Sequence, residues 1–148
     1  MFLRTISERR YSEMIFNIEI PENALEAAEK ITEELIEQGI LPGLAVLRIG
    51  SQPEHVALEE ELVTKARNFG IAIEKYIMDE KSAEEDVIDV IYVLNYDPKI
   101  HAVVMPGPLP EHMDEVNVRG FLGDRGKAVT GSADELLFLA ASMAKASL

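Results

Sequence analysis

The chain of 148 residues has the length of one domain and can bury a single core without help from a second. With 47% hydrophobic and 28% charged residues it offsets its ordering entropy, which excludes the disordered class. Lys and Arg number 14 against 27 Asp and Glu, and the net charge of −13 excludes nucleic acid and anionic membrane as partners, since both are held by basic side chains.

Cysteine is absent, so disulfides, thiol nucleophiles and thiolate metal sites are removed together, as fits a reducing compartment. Met1 to Phe16 contain Arg4, Arg9 and Arg10 but are broken by Ser and Glu. No apolar stretch there suits a signal peptide or membrane span, and the expected location is the cytoplasm. Residues 1–13 read as a flexible arm.

Met14 to Ile20 alternates in the manner of a strand, and Pro21 ends it. From Glu22 to Gln38, Leu25, Ala28, Ile31 and Leu35 recur at helical steps, with Gly39 as a stop. Leu44 to Ile49 is a short, mostly apolar run between Pro42-Gly43 and Gly50-Ser51, as expected of a buried parallel strand. A second helix over Pro53 to Phe69 carries Leu58, Leu62, Ala66 and Phe69 on one stripe, and a strand over Ile71 to Met78 follows Gly70. Ser82 and Glu85 have capping-box spacing ahead of a third helix with Val87, Val90, Ile91 and Leu94 on its apolar face. Ala102 to Met105 reads as a buried strand, broken by the stiff loop Pro106-Gly107-Pro108-Leu109-Pro110. A last helix starts at Ser132, boxed by Glu135, and runs through Leu136, Leu139, Ala140 and Met143.

This alternation predicts an α/β fold: three αβα layers around a mainly parallel sheet of about four strands, with right-handed crossovers. In such sheets ligands sit beyond the carboxyl ends of the strands, which directs attention to the loops Gly50 to His55, Met78 to Ser82 and Met105 to His112.

Residues in and around these loops carry a resemblance. Pro42-Gly43-Leu44-Ala45-Val46, Gly50 and Gly70-Ile71, then Leu94-Asn95-Tyr96-Asp97-Pro98-Lys99-Ile100-His101, Val103-Val104-Met105 and Pro108-Leu109-Pro110-Glu111-His112-Met113-Asp114 are similar to the catalytic domain of the bifunctional methylenetetrahydrofolate dehydrogenase/cyclohydrolase family. The likeness runs from the first helix to the last. It implies that family's fold, tetrahydrofolate as a ligand and, since the related enzymes are dimers, a homodimer.

The resemblance holds at structural positions and fails at chemical ones. The family's Tyr, and the Lys four residues on that serves both reactions, fall on Leu58 and Leu62; the Ser before them falls on His55. The Gln of its QLPLP loop falls on Pro106 and the next Leu on Gly107. Its DVDGF is matched by Asn117-Val118-Arg119-Gly120-Phe121, which puts Arg119 at the pterin-binding Asp. Leucine offers neither a donor to steer a one-carbon centre nor a group that exchanges protons with water. Leu58 and Leu62 share a stripe with Ala66 and Phe69 and are expected to be core. No G-x-G-x-x-G unit opens a helix after a strand, so no NAD(P) site is expected, and the family's second, cofactor-binding domain is expected to be missing.

Four other features could carry chemistry. Lys65 lies one turn beyond Leu62, on nearly the same helical face as Leu58, and could reach the vacated site as a substitute base. His55 and His112, in loops that could face each other, make a metal an outside alternative, while His101 matches a structural family position; no metal is expected. Gly120, Gly123 and Gly126-Lys127 resemble a phosphate loop in composition only and read as a glycine-rich turn. Arg119 with Arg125 could receive an anion, or simply pair with Glu115 and Asp124.

A ligand in the strand-end cleft would meet His55, Gly107, Pro108, Leu109, Pro110, His112 and Arg119. Three functions are compatible with these residues: a catalytically silent binding or assembly module, which the combined replacements at Leu58, Leu62, Pro106 and Arg119 favour; a methenyltetrahydrofolate cyclohydrolase-like enzyme using Lys65 or a histidine; and an enzyme acting on another small anionic substrate through His55, His112 and Arg119.

Overall fold

The computed structural model describes residues 19–148. The arm at 1–13 and most of the strand expected over Met14 to Ile20 lie outside the described residues; Glu19 and Ile20 are exposed and carry no strand. The described elements are α1 (Ala24–Glu37), β1 (Gly43–Ile49), α2 (Pro53–Ala66), β2 (Ala72–Met78), α3 (Glu84–Tyr96), β3 (Ala102–Val104), α4 (Glu115–Gly123) and α5 (Ala133–Ala146).

The sheet is parallel, in the order β2-β1-β3. β1 pairs with β2 from Gly43 opposite Ala72 to Ile49 opposite Met78, and with β3 from Leu44 opposite Ala102 to Val46 opposite Val104. All seven β1 residues are buried, as a central strand covered on both faces requires. Among the described residues three strands stand where about four were expected. On the far side of β3 the described residues form only a single bridge, Val103 with Ala128, closed by Val103 N–H to the Lys127 carbonyl at 2.8 Å and Val129 N–H to the Val103 carbonyl at 2.9 Å.

Alternation along β1 divides the core into two. Leu44 and Val46 pack with Ala28, Leu62, Leu136 and Leu139 under α1, α2 and α5. Ala45, Leu47 and Ile49 face the other way, onto Val87, Ile91, Leu94, Val118 and Leu122 under α3 and α4. The predicted three αβα layers follow from this period-two pattern meeting helices of period 3.6.

The first helix ends as Gly39 predicts: its φ of +80° suits glycine, and its N–H reaches the Ile36 carbonyl at 2.9 Å. Ser132 caps α5 with the full Ser132–Glu135 box. The expected box at Ser82 is absent, because Ser82 is drawn into the turn after β2, its N–H on the Asp79 carbonyl at 3.0 Å. Ala83 is the N-cap of α3, without a side-chain cap, and Glu84, Glu85 and Asp86 supply favourable charge at the helix start instead.

α4 is a second correction. Gly120 and Gly123, read as a glycine-rich turn, lie in a helix capped by Asp114, whose carboxylate accepts the Asn117 N–H at 3.1 Å. Two glycines cost roughly 1 kcal/mol each against alanine. Burial of Val118 and Leu122, four residues apart on one face, and the Glu115–Arg119 ion pair offset that cost.

Candidate functional site

The loops after β1, β2 and β3 meet at the carboxyl edge of the sheet. Between the first two lies an open depression of about 520 Å³ lined by Gly50, Ser51, Gln52, Met78, Asp79 and Glu80. Its wall is backbone, hydroxyl, amide and carboxylate, with the apolar side chains of Ile77 and Met78.

The third loop is tied down on both sides. Arg119, on α4, donates through Nε to Glu115 Oε2 at 2.8 Å and through Nη2 to the Met105 carbonyl at 3.1 Å. Glu115 also accepts the Leu109 N–H at 3.0 Å. That backbone bond first, and Arg119 second, holds the Glu115 carboxyl below the ordinary range. A Cβ at Gly107 would collide with the Arg119 guanidinium and lie 3.0 Å from Glu115 Oε2. From the other side His55 places Nε2 3.2 Å from the Gly107 carbonyl. The Gly107–Pro108 peptide bond is cis, and Leu109 turns inward to the core while Gly107 and Pro108 stay exposed and Pro106 and Pro110 are half-buried.

Beneath this edge is a pair that the sequence reading missed. Arg48, at the end of β1, and Glu59, on α2, are both buried, with Arg48 Nη2 3.3 Å from Glu59 Oε2. Arg48 Nη1 also donates to the Gly50 carbonyl at 2.5 Å and contacts Ser51 Oγ at 3.4 Å. The signal was a single charge inside the apolar run Leu44 to Ile49: a buried strand position cannot keep a charge without a partner. Glu59 lies one turn beyond His55 and one turn before Leu62, on the inward face of α2.

Leu62 is fully buried, and Leu58 is half-buried against the same cluster. Lys65 does not enter their neighbourhood through its amine, which sits 2.5 Å from Asp134 and 2.8 Å from Glu61. Asp134 and then Glu61 raise its pKa above the ordinary lysine value. The three histidines are held separately. His55 belongs to the first turn of α2, not to a loop, and is buried with Nδ1 unpartnered. His112 Nε2 lies 2.8 Å from the Ser82 carbonyl. His101 Nδ1 accepts the Gly43 N–H at 3.0 Å, and burial, helped by Lys127, keeps its pKa low. Among the described residues no three histidine or carboxylate groups gather as metal ligands.

Arg119 and Arg125 are engaged apart: Arg119 as above, Arg125 with its guanidinium 4.7 Å over the Tyr96 ring. The Lys127 amine donates to the carbonyls of Leu94 at 3.1 Å and Asp97 at 2.9 Å, closing the end of α3.

A family model described as tetrahydrofolate dehydrogenase/cyclohydrolase, catalytic domain, matches residues 18–122. Among curated relatives, the bifunctional protein FolD of Brucella anthropi is 30% identical over 108 residues, covering 72% of this chain and 36% of its own. The FolD protein of Chlamydia pneumoniae is 34% identical over 126 residues, covering 75% and 44%. Among solved structures, the bifunctional FolD enzyme, a methylenetetrahydrofolate dehydrogenase/cyclohydrolase, of Campylobacter jejuni aligns with a TM-score of 0.62 at 19% identity over 78% of this chain and 38% of that one. The Trypanosoma brucei enzyme, crystallised with NADP cofactor and an inhibitor, gives 0.61 at 21% identity over 71% and 37%. The structural likeness shows the fold, and the chain spans well under half the length of these relatives. Among the described residues no helix is long and apolar enough to cross a membrane. With the family model covering residues 18–122, more than two thirds of the sequence, the chain belongs to the tetrahydrofolate dehydrogenase/cyclohydrolase catalytic-domain family.

Proposed function

We propose that this chain is a catalytically silent member of its family, a cytoplasmic binding or assembly module built on the folate-enzyme scaffold. The observation that carries the reading is the burial of Leu62: the position that the resemblance aligns with the family's lysine is fully buried in the core beside Val46, Ala66 and Leu136. An aliphatic group sealed from solvent neither polarises a folate one-carbon unit nor passes a proton to water. Leu58, at the tyrosine position, packs on the same cluster. Pro106 lacks an amide to support a lysine, and Arg119 brings positive charge to the aspartate position while being held by Glu115 and the Met105 carbonyl.

The substitute groups support the same reading. The Lys65 amine is neutralised by two carboxylates and kept protonated by them, the opposite of what a general base at neutral pH requires. His55 is buried against the Gly107 carbonyl. In this reading the chain has no nicotinamide site of its own.

The test is hydrolysis of methenyltetrahydrofolate by the purified chain, followed by the loss of its absorbance, with melting temperature measured in millimolar tetrahydrofolate. The expected result is a rate equal to that of buffer and no change in melting temperature. Turnover that disappears in Lys65→Met, or in a variant of the Met105 to His112 loop, would overturn the reading.

A further inference from the structure

We propose that the groove between α3 and α4 docks an arginine side chain presented by a partner polypeptide. The groove is far from the strand-end loops. α3 runs back from the end of β2 to the start of β3, which puts its last turn at the opposite end of the sheet, so the inference stands whether or not the strand-end site turns over folate.

Tyr92, Tyr96 and Phe121 are 64%, 56% and 41% exposed there, an aromatic surface of the composition enriched in the cores of protein interfaces. The Tyr92 and Tyr96 rings lie 4.7 Å apart, and Arg125 covers Tyr96 at 4.7 Å. The wall thus already carries one guanidinium on an aromatic face, the geometry of a cation–π contact, while most of Tyr92 remains open to solvent.

Size, charge and hydrogen bonding choose the occupant. The groove encloses about 220 Å³, below the roughly 300 to 1,000 Å³ of small-molecule sites and suited to one long side chain. Asp89 and Asp124 line it against the single cation Arg125. In a chain of net charge −13, this repels anions and a second copy of the chain and attracts a basic partner. On its floor Asn95 is 5% exposed; its Nδ2 donates to the Phe121 carbonyl at 2.9 Å and its Oδ1 has no partner. That oxygen is buried without a partner, and a donor reaches it as the groove side chains shift on binding. A guanidinium brings five and no acceptor.

The experiment is a titration of the 15N-labelled chain, followed by amide shifts, with acetyl-Leu-Arg-Leu amide, its citrulline counterpart and spermidine. The expected result is saturable shifts confined to Ile88, Asp89, Tyr92, Asn95, Phe121 and Asp124 with the arginine peptide only. Affinity should fall about tenfold or more in Asp89→Asn/Asp124→Asn, and again in Tyr92→Ala. These positions are exposed, so the fold is expected to survive and the unchanged spectrum elsewhere checks it. Equal binding of the citrulline peptide, equal binding of spermidine at this groove, shifts spread over the other acidic faces, or undiminished binding by the variants would each overturn the proposal.

Discussion

Gly107 and Arg119 are a matched pair: the guanidinium of Arg119 fills the space that a Cβ at Gly107 would occupy, and from there it holds the Met105 carbonyl at 3.1 Å. The glycine at 107 and the arginine at 119 therefore belong to one packing solution. Gly107→Ala should destabilise the chain by about 1–3 kcal/mol, the usual range for overpacking. In an Arg119→Ala background the same substitution should cost much less, because the collision partner is gone. Urea unfolding of the four proteins of this cycle measures the difference, and strictly additive effects would show that the two residues do not share space.

Leu62 provides the test of whether this position can hold a lysine at all. Leu62→Ala should cost about 2–5 kcal/mol, as for other leucines deleted from a close-packed core. Leu62→Lys should cost at least as much, since a buried ammonium among Val46, Leu136 and Ala66 meets no free carboxylate, Glu59 one turn away being held by Arg48, and must either neutralise or pull the helix outward. Thermal unfolding of the two variants reads this directly. A folded Leu62→Lys protein of ordinary stability would mean that this side of α2 opens to solvent.

The buried Arg48–Glu59 pair predicts a non-additive pattern. Removing one partner, as in Glu59→Leu, leaves the Arg48 charge buried and should cost about 3–5 kcal/mol, whereas Arg48→Met/Glu59→Leu should recover most of that loss. The recovery will be incomplete, because Arg48 also serves the Gly50 carbonyl at 2.5 Å. Denaturant midpoints of Arg48→Met, Glu59→Leu and the double variant decide it: a double variant as unstable as the sum of the singles would contradict a coupled pair.

These relationships mark where the sequence was legible. β1 was readable because its seven residues are buried on both faces, which leaves a short apolar run between turn residues; α1 and α5 were readable because their buried positions recur at helical spacing and end in Gly39 or begin at Ser132. α4 was hidden because its two glycines speak for a turn, while what stabilises it is Asp114 as cap and the distant core that receives Val118 and Leu122. The core role of Leu58 and Leu62 followed from their stripe. What joins His55 to Gly107, Arg48 to Glu59 and Lys65 to Asp134 did not, because these partners are 52, 11 and 69 residues apart and no local rule couples them.

Acid should lower the stability of the protein over two pH ranges. His101 has its pKa lowered from 6.5 by burial, with Lys127 adding to the effect. The unfolded chain therefore takes up a proton first as pH falls below 6.5, and the stability that His101 contributes above that value is lost as the pH drops towards its folded pKa. Protonation at Nδ1 also removes the acceptor for the Gly43 N–H at the start of β1, so the cost falls on the central strand. Glu115 is lowered from 4.5, chiefly by the Leu109 N–H and then by Arg119. It has the same sign at lower pH: its contribution is complete above 4.5 and disappears as the pH falls through its folded pKa. Lys65, raised from 10.5 by Asp134 and Glu61, behaves oppositely, contributing fully below 10.5 and failing as pH rises through its folded value. Urea midpoints measured from pH 8 to pH 3 should accordingly decline below about 6.5 and again below about 4.5. His101→Gln should flatten the first decline and leave the second, while Glu115→Gln should leave the first and reduce the second, which it shares with Glu135, lowered by its hydrogen bonds to Ser132; if either variant kept both declines unchanged, the loss would have to come from other groups.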